Sequence, residues 1–188
     1  MKLSIKNALL FSGIYIFAEL IFFILGFNHI ESIMMIRVVG VSLLMLMAVA
    51  ISILVNFSRN KAGGLSMLVD LKTGIASAAV FALIISLFLT AYFSVIDTEF
   101  AENRKAAFSA AIQDPEERAK LEKRLEEENT NLAIGQTIDD LIEQNHDNMV
   151  QMLSPKTVFP MALFSLLLLG MIYAFGVTAL NRIILVKL

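Results

Sequence analysis

Four long apolar stretches dominate the sequence and constrain its fold more than any other feature. They cover residues 8–27, 36–57, 74–96 and 157–180. Each is about 20 residues long or longer, which is the length that a helix needs to cross the hydrocarbon core of a bilayer. Because lipid offers the backbone no hydrogen bonds, each stretch must satisfy its own amides and carbonyls, so each is predicted to be helical.

The first of these stretches must be distinguished from a signal peptide, because Lys2 and Lys6 precede it. Its apolar run is longer than the roughly 7–15 residues of a signal sequence, and no small-residue cleavage site follows it. We therefore interpret it as a retained span. The composition agrees, because 57% of the residues are hydrophobic and only 17% are charged, against about 45–50% and 25% in soluble domains.

The charges of the water-facing segments predict the orientation of the chain. The two termini and the segment between spans two and three carry seven Lys and Arg residues and one acidic residue, Asp70. The other two connections carry eight basic residues, Arg37 at the span edge included, and fifteen acidic residues. Since Lys and Arg concentrate on the cytoplasmic side, we expect a multi-pass protein of the bacterial inner membrane with both termini in the cytoplasm.

The segment 97–156 is the only long polar part of the chain, and its pattern predicts helices. Residues 98–112 can extend span three beyond the membrane. Asp114 and Pro115 then suit the N-cap and first position of a new helix, and Glu117 stands where a capping box places an acidic residue. A further amphipathic helix follows Asn129–Asn131 and ends before Ser154 and Pro155.

These elements together predict an all-α fold, a four-helix transmembrane bundle with an extracytoplasmic helical arm between spans three and four. The division is residues 1–96 for spans one to three, 97–156 for the arm, and 157–188 for span four with a cytoplasmic tail.

A row of small residues along span three indicates close helix packing. The row repeats every four residues. Its members are Gly74, Ala78, Ala82, Ser86, Thr90 and Ser94. Small residues allow helix backbones to approach closely in lipid, where packing rather than hydrophobicity drives helix association. The partner of this face is either another span of the same chain or a second protein.

Glu19 is the only acidic residue within a predicted span, and the length of the apolar run places it near the bilayer midplane. A charged carboxylate there is costly, so it is expected to be protonated or hydrogen-bonded. Ser86 in span three and Ser165 in span four lie at a similar depth and are the expected polar contacts. A structural contact and a role in proton or ion transfer both remain open for Glu19.

No other motif indicates chemistry. The chain has no cysteine and two histidines, and its single Glu143-x-x-His146 spacing lacks the second copy that a carboxylate-bridged metal site requires. Phosphate-binding loops, nucleophile elbows and zinc-protease motifs are missing from the sequence. The sequence therefore predicts no catalytic residue, no metal and no cofactor, and a net charge of −2 gives no bias toward nucleic acid.

Three sequence features resemble a known family. They are the basic Gly-Gly turn in RNKAGGLSMLVDLKTG, the exit of span three in YFSVIDTEF, and the last span in LSPKTVFPMALFSLLLLGMIYAFGVTALNR. In these features the chain resembles the uncharacterised bacterial membrane family called domain of unknown function 4199. The resemblance covers essentially the whole chain and implies a four-span inner-membrane protein with a helical outer segment. It implies no catalytic residues.

The sequence is typical of a non-enzymatic membrane protein that acts as a structural or accessory subunit of a larger envelope complex. Its expected partners are the lipid bilayer and a second protein of the membrane or envelope, and not nucleic acid. The alternative is a small transporter or channel that uses Glu19.

Overall fold

A computed structural model describes residues 2–27, 31–59, 67–128, 137–152 and 154–185, and every regular element in these ranges is helical. The α-helices are α1 (Lys2–Ile24), α2 (Glu31–Arg59), α3 (Met67–Ala91), α4 (Glu99–Gln113), α5 (Pro115–Glu128), α6 (Ile138–Met152) and α7 (Pro155–Leu185). A π-helical turn, Tyr92–Ile96, follows α3 directly. The predicted turn at Gly63 and Gly64 lies outside the described residues.

Four of the helices are long and apolar enough to cross a membrane. The apolar parts are Leu3–Ile24, Met35–Arg59, Met67–Ile96 and Lys156–Ile183, one for each span predicted from the sequence. Many large apolar side chains on these helices are exposed, including Phe17, Phe164 and Leu180, as expected where lipid rather than water covers the surface. The predicted all-α class is confirmed, and the four helices of membrane-spanning length and composition match the four predicted spans.

The first span ends earlier than the apolar run predicts. Gly26 has a φ of 72°, a left-handed conformation that glycine adopts readily and that commonly ends helices. Glu19 therefore lies five residues before the end of α1 at Ile24, about 7.5 Å along the axis at a rise of about 1.5 Å per residue. The bounds of α1 place Glu19 somewhat closer to the end of the helix than to its middle, whereas the apolar run alone predicted a position near the bilayer midplane.

The chain forms two compact units. The first comprises Met1–Thr90 and Phe159–Leu188, which hold most of the four spans, and the second is Ala91–Val158. In the first unit, α1 packs against α2, and the ring of Tyr15 on α1 meets the ring of Phe88 on α3 edge-on, with centroids 6.5 Å apart.

The interior of the bundle is built from rows of residues four apart, one turn of helix between members. The buried rows are Met45, Val49, Ile53 and Phe57 on α2; Asp70, Gly74, Ala78, Ala82 and Ser86 on α3; and Leu166, Gly170, Ala174 and Thr178 on α7. Rows of this spacing form the ridges by which helices interdigitate. Large side chains of α2 thus face small ones of α3 and α7.

The π-helical turn separates α3 from the helices of the arm. The Asp97 amide donates to the carbonyl of Tyr92, five residues earlier, at 2.8 Å, and Asp97 itself has φ −114° and ψ 62°, outside the helical region. Helix α4 therefore starts anew at Glu99. The prediction that residues 98–112 simply extend span three is wrong, because the wider turn breaks the ladder of helical hydrogen bonds.

In the second unit, α4, α5 and α6 pack against one another. Asp114 caps α5 as predicted, because its Oδ1 accepts the amides of Glu116 at 2.8 Å and Glu117 at 3.3 Å. The predicted capping box is not closed. The Asp114 amide donates to the carbonyl of Ala110, and the Glu117 carboxylate instead accepts a hydrogen bond from Lys120 at 2.8 Å.

Helix α6 begins with a capping box that the sequence analysis missed. The Thr137 amide donates to Oδ2 of Asp140 at 2.7 Å, and the Asp140 amide donates to the Thr137 hydroxyl at 3.2 Å. The Thr137 hydroxyl also donates to Oδ2 of Asp140 at 2.8 Å. The backbone amide and then the hydroxyl of Thr137 lower the pKa of the Asp140 carboxyl below its ordinary value.

Replacing Thr137 with valine is expected to raise the Asp140 pKa toward its ordinary value, because the hydroxyl bond is lost while the amide bond remains. A carboxyl with a lowered pKa stabilises the fold above its unfolded pKa of about 3.9, and this contribution is lost as the pH falls through the folded pKa. Carboxyl chemical shifts during an acid titration measure the change. Thr137→Ser keeps the hydroxyl and should leave the pKa unaltered, whereas an unchanged pKa in Thr137→Val would contradict the capping role.

Candidate functional site: buried polar clusters of the helix bundle

An ion pair joins α1 to α2 inside the bundle. Nη2 of Arg37 lies 2.5 Å from Oε2 of Glu19, and the two side chains are only 9% and 1% exposed. The oxygens of Glu19 are not aligned for a hydrogen bond within the described residues, so the contact is a close charge pair. It sits near one end of the bundle, since Arg37 is two residues from Met35, where the apolar part of α2 starts.

The two serines expected to contact Glu19 differ in burial. Ser86 is buried on α3, and its backbone carbonyl accepts the Thr90 hydroxyl at 2.8 Å. Ser165 is exposed on α7. The charged partner of Glu19 is Arg37, which sequence reasoning left at the span edge. The signal was present, because Arg37 is the only basic residue within the 36–57 apolar run.

A second ion pair joins α3 to α7 at the opposite end of the bundle. Nη2 of Arg182 lies 2.7 Å from Oδ2 of Asp70, and the side chains are 19% and 4% exposed. The amide of Asn56 on α2 donates to Oδ1 of the same carboxylate at 3.0 Å. The guanidinium carbon of Arg182 also lies 5.5 Å from the ring centroid of Phe57, within the range of a cation–π contact.

A network of neutral polar groups connects α1, α2 and α3 one to two turns farther into the bundle. The Asn7 amide donates to the Ser52 hydroxyl at 3.0 Å, which lies 3.2 Å from the Ser77 hydroxyl. Both hydroxyls also lie within hydrogen-bond distance of the Ala48 carbonyl, at 2.7 Å and 3.2 Å. Between α2 and α7, a further hydrogen bond joins the hydroxyls of Ser42 and Tyr173.

The row of small residues on span three lies partly inside the bundle. Gly74, Ala78, Ala82 and Ser86 are buried, Thr90 is half-buried, and Ser94 is exposed. A Cβ placed on Gly74 would lie 3.0 Å from Cβ of Ala174 on α7 and 2.7 Å from Cδ1 of Ile53 on α2. The buried part of this row therefore packs within the chain, where close helix approach requires glycine.

The arm contains a groove but no metal centre among its described residues. The groove, of about 390 Å³, is lined by parts of α4, α5 and α6, including Ile142, Glu143 and His146. The His146 ring lies against Phe108, with centroids 5.7 Å apart. Throughout the described part of the chain, no three His, Cys, Asp or Glu side chains are grouped so that they could hold a metal ion.

The buried polar contacts described above join helices of the bundle to one another. Each buried ion pair joins two helices, and the amide and hydroxyl network ties three helices together. Polar contacts between membrane helices stabilise their association, at about 0.6 kcal/mol on average and up to about 2. They also fix the rotation and register of each helix, because a shifted helix would leave a buried polar group without its partner.

The model of the family described as protein of unknown function (DUF4199) matches residues 6–182, and the chain belongs to this family. The match confirms the resemblance found in the sequence, and it includes both ion pairs and the three helices of the arm. No curated protein and no solved structure matches the chain.

Proposed function

We propose that this member of the DUF4199 family is a non-enzymatic membrane protein that serves as a structural or accessory subunit of a larger envelope complex. The observation that carries the proposal is the pairing of Glu19 with Arg37 and of Asp70 with Arg182. A catalyst or ion carrier uses a charged group that is free to react or to exchange its partner. Here the buried charges of the four spans hold helices to one another.

The membrane and the orientation are part of the same proposal. The bacterial inner membrane accommodates helical spans of this length, and the excess of Lys and Arg at the termini and before α3 favours the cytoplasm for those segments. The arm would then lie outside the cytoplasm. It carries fourteen acidic and seven basic residues between residues 97 and 156, so a basic or neutral protein surface suits it better than an acidic one.

A transporter or channel that uses Glu19 is the alternative, and one observation favours it. Ser4, Ser12 and Glu19 are buried along one face of α1, and the Ser12 hydroxyl has no hydrogen-bond partner among the described residues. Ion routes in membranes use such series of polar groups. Against this alternative, Arg37 neutralises Glu19, and ion transfer would require the pair to separate inside the bundle.

Site-specific photo-crosslinking in native membranes tests the accessory role. A photoreactive phenylalanine replaces Leu87 on the exposed face of α3 or Glu143 on the arm, and the same residue at Phe81, whose aromatic side chain is fully buried, provides the matched control. We expect one dominant protein adduct of constant mass from an exposed position, and native mass measurement in mild detergent should show the same partner in fixed ratio. A chain that yields only lipid adducts and stays a monomer would contradict the proposal.

A further inference from the structure

Two buried polar residues on α7 lack hydrogen-bond partners within the described protein. Thr178 is fully buried and Asn181 is 4% exposed. The Thr178 hydroxyl and both polar atoms of the Asn181 side-chain amide have no partner among the described residues. Buried polar atoms in native proteins are almost always hydrogen-bonded to protein or to water, so three such atoms within one turn of helix require an explanation.

The packing rows place these residues beside the Asp70–Arg182 ion pair. Gly74 of α3 lies against Ala174 of α7 and Ile53 of α2. One turn farther toward the end of the bundle, the rows continue with Thr178 on α7, Asp70 on α3 and Phe57 on α2. Thr178 and Arg182 are four residues apart and share one face of α7. The Thr178 hydroxyl and the Asn181 amide therefore lie at the same level of the bundle as the Asp70–Arg182 ion pair, which lies between them and the end of the bundle.

The exposure of these side chains falls from the end of the bundle inward. Arg182 is 19% exposed and Asp70 is 4% exposed at their side chains, whereas Thr178 is fully buried. Arg59, Lys72 and Lys6 are exposed at the same end of the helices, which places that end in contact with water. Water can thus approach the site past Arg182.

The site is closed on its other side by tight apolar packing. A Cβ on Gly74 would lie within 3.0 Å of Ile53 and Ala174, and a Cβ on Gly170 would lie 2.5 Å from Cβ of Ala78. Contacts this close leave no space for water between the helices at these two layers. An opening at the Arg182 end therefore does not continue between α3 and α7 past Gly74.

We infer that Thr178 and Asn181, with the Asp70–Arg182 pair as their rim, form a hydrated site that opens at the basic end of the bundle and binds water. The Asn181 amide both donates and accepts hydrogen bonds, and the Thr178 hydroxyl does either. The rim is neutral overall because its two charges cancel. The site therefore suits water rather than an ion, and it is independent of the proposed accessory role.

The absence of cysteine from the chain allows a direct test by thiol chemistry. Thr178→Cys is compared with Ala82→Cys, a fully buried position on α3 in the apolar part of the bundle. The reagent is methyl methanethiosulfonate, which is small, neutral and able to cross lipid. It reacts with the thiolate, and a thiol in dry apolar surroundings stays protonated. The rate of thiol modification therefore shows whether water reaches the thiol.

We expect Thr178→Cys in lipid vesicles to react at least about tenfold faster than Ala82→Cys, because water supports ionisation of its thiol. Equal, slow rates at the two positions would overturn the inference. Thr178→Val provides a second measurement that needs no labelling. A hydroxyl bonded to water makes this variant melt at a lower temperature than the wild type, whereas an unchanged or higher melting temperature would show a dry site.

Discussion

Replacing Glu19 with glutamine is expected to destabilise the bundle by about 3–5 kcal/mol, because the buried charge of Arg37 then lacks the opposite charge of the Glu19 carboxylate. Replacing Arg37 with glutamine should cost less, about 1–3 kcal/mol. The reason for this asymmetry is chemical. A carboxylate that loses its partner can take up a proton and become neutral, whereas a guanidinium stays charged at every accessible pH. Substitution of Glu19 should therefore lower the free energy of unfolding more than substitution of Arg37.

Unfolding in detergent micelles, followed by helical circular dichroism, measures both variants. Glu143→Gln is the matched control, because Glu143 is exposed on the arm and surface substitutions of this kind change stability by less than about 0.5 kcal/mol. Wild-type stability for Glu19→Gln would show that the pair is not a structural element of the bundle, whereas equal losses for Glu19→Gln and Arg37→Gln would contradict the predicted asymmetry.

Replacing Gly170 with alanine is expected to destabilise the bundle by about 1–3 kcal/mol through overpacking. The added methyl group would lie 2.5 Å from Cβ of Ala78 and 2.8 Å from Cε of Met45. The methionine side chain can move, but the alanine Cβ moves only with the α3 backbone. Helices α3 and α7 must therefore separate, and the close packing of their rows is lost.

Two further variants make this prediction specific. Gly176 lies on the same helix with nothing within 4 Å of an added Cβ, so Gly176→Ala should be neutral or stabilising by up to about 1 kcal/mol from helix propensity. In the double variant Gly170→Ala with Ala78→Gly, the methyl group moves from one helix to the other and most of the stability should return. Melting temperatures of the four proteins measure the series, and a Gly170→Ala variant as stable as Gly176→Ala would contradict the packing.

Much of the architecture was predictable from the sequence, because lipid restricts what a long apolar stretch can form. The four spans, the helical arm and the Asp114 cap follow from residue type and spacing alone. The ends of the first span were less predictable, because the ends of the apolar run were taken as the ends of the helix. Lys2 at the start of α1 and the left-handed Gly26 shift the helix relative to that run.

The polar contacts of the bundle were harder to predict, because depth alone does not determine which way a side chain faces. Ser86 and Ser165 were predicted at a similar depth, yet one is buried and the other exposed, since the rotation of each helix is fixed by packing. Arg37 and Asp70 were assigned to water-facing ends from their positions near span boundaries. The structure buries both, because Glu19 and Arg182 supply the opposite charge.

Function was the least predictable part, because no motif in the chain marks chemistry and the family itself is of unknown function. What the structure adds is the set of contacts within the bundle. The row beginning at Gly74 packs on α2 and α7, which leaves the exposed apolar surface and the arm as the faces open to a second protein.

The coupling free energy between Glu19 and Arg37 tests the central claim most directly, that the buried charges exist to hold helices together. It is obtained from unfolding of the wild type, Glu19→Gln, Arg37→Gln and the double variant in lipid-like bicelles. We predict a favourable coupling of about 1–3 kcal/mol, with the double variant more stable than Glu19→Gln alone. Additive losses, with no coupling beyond the experimental error, would contradict the claim.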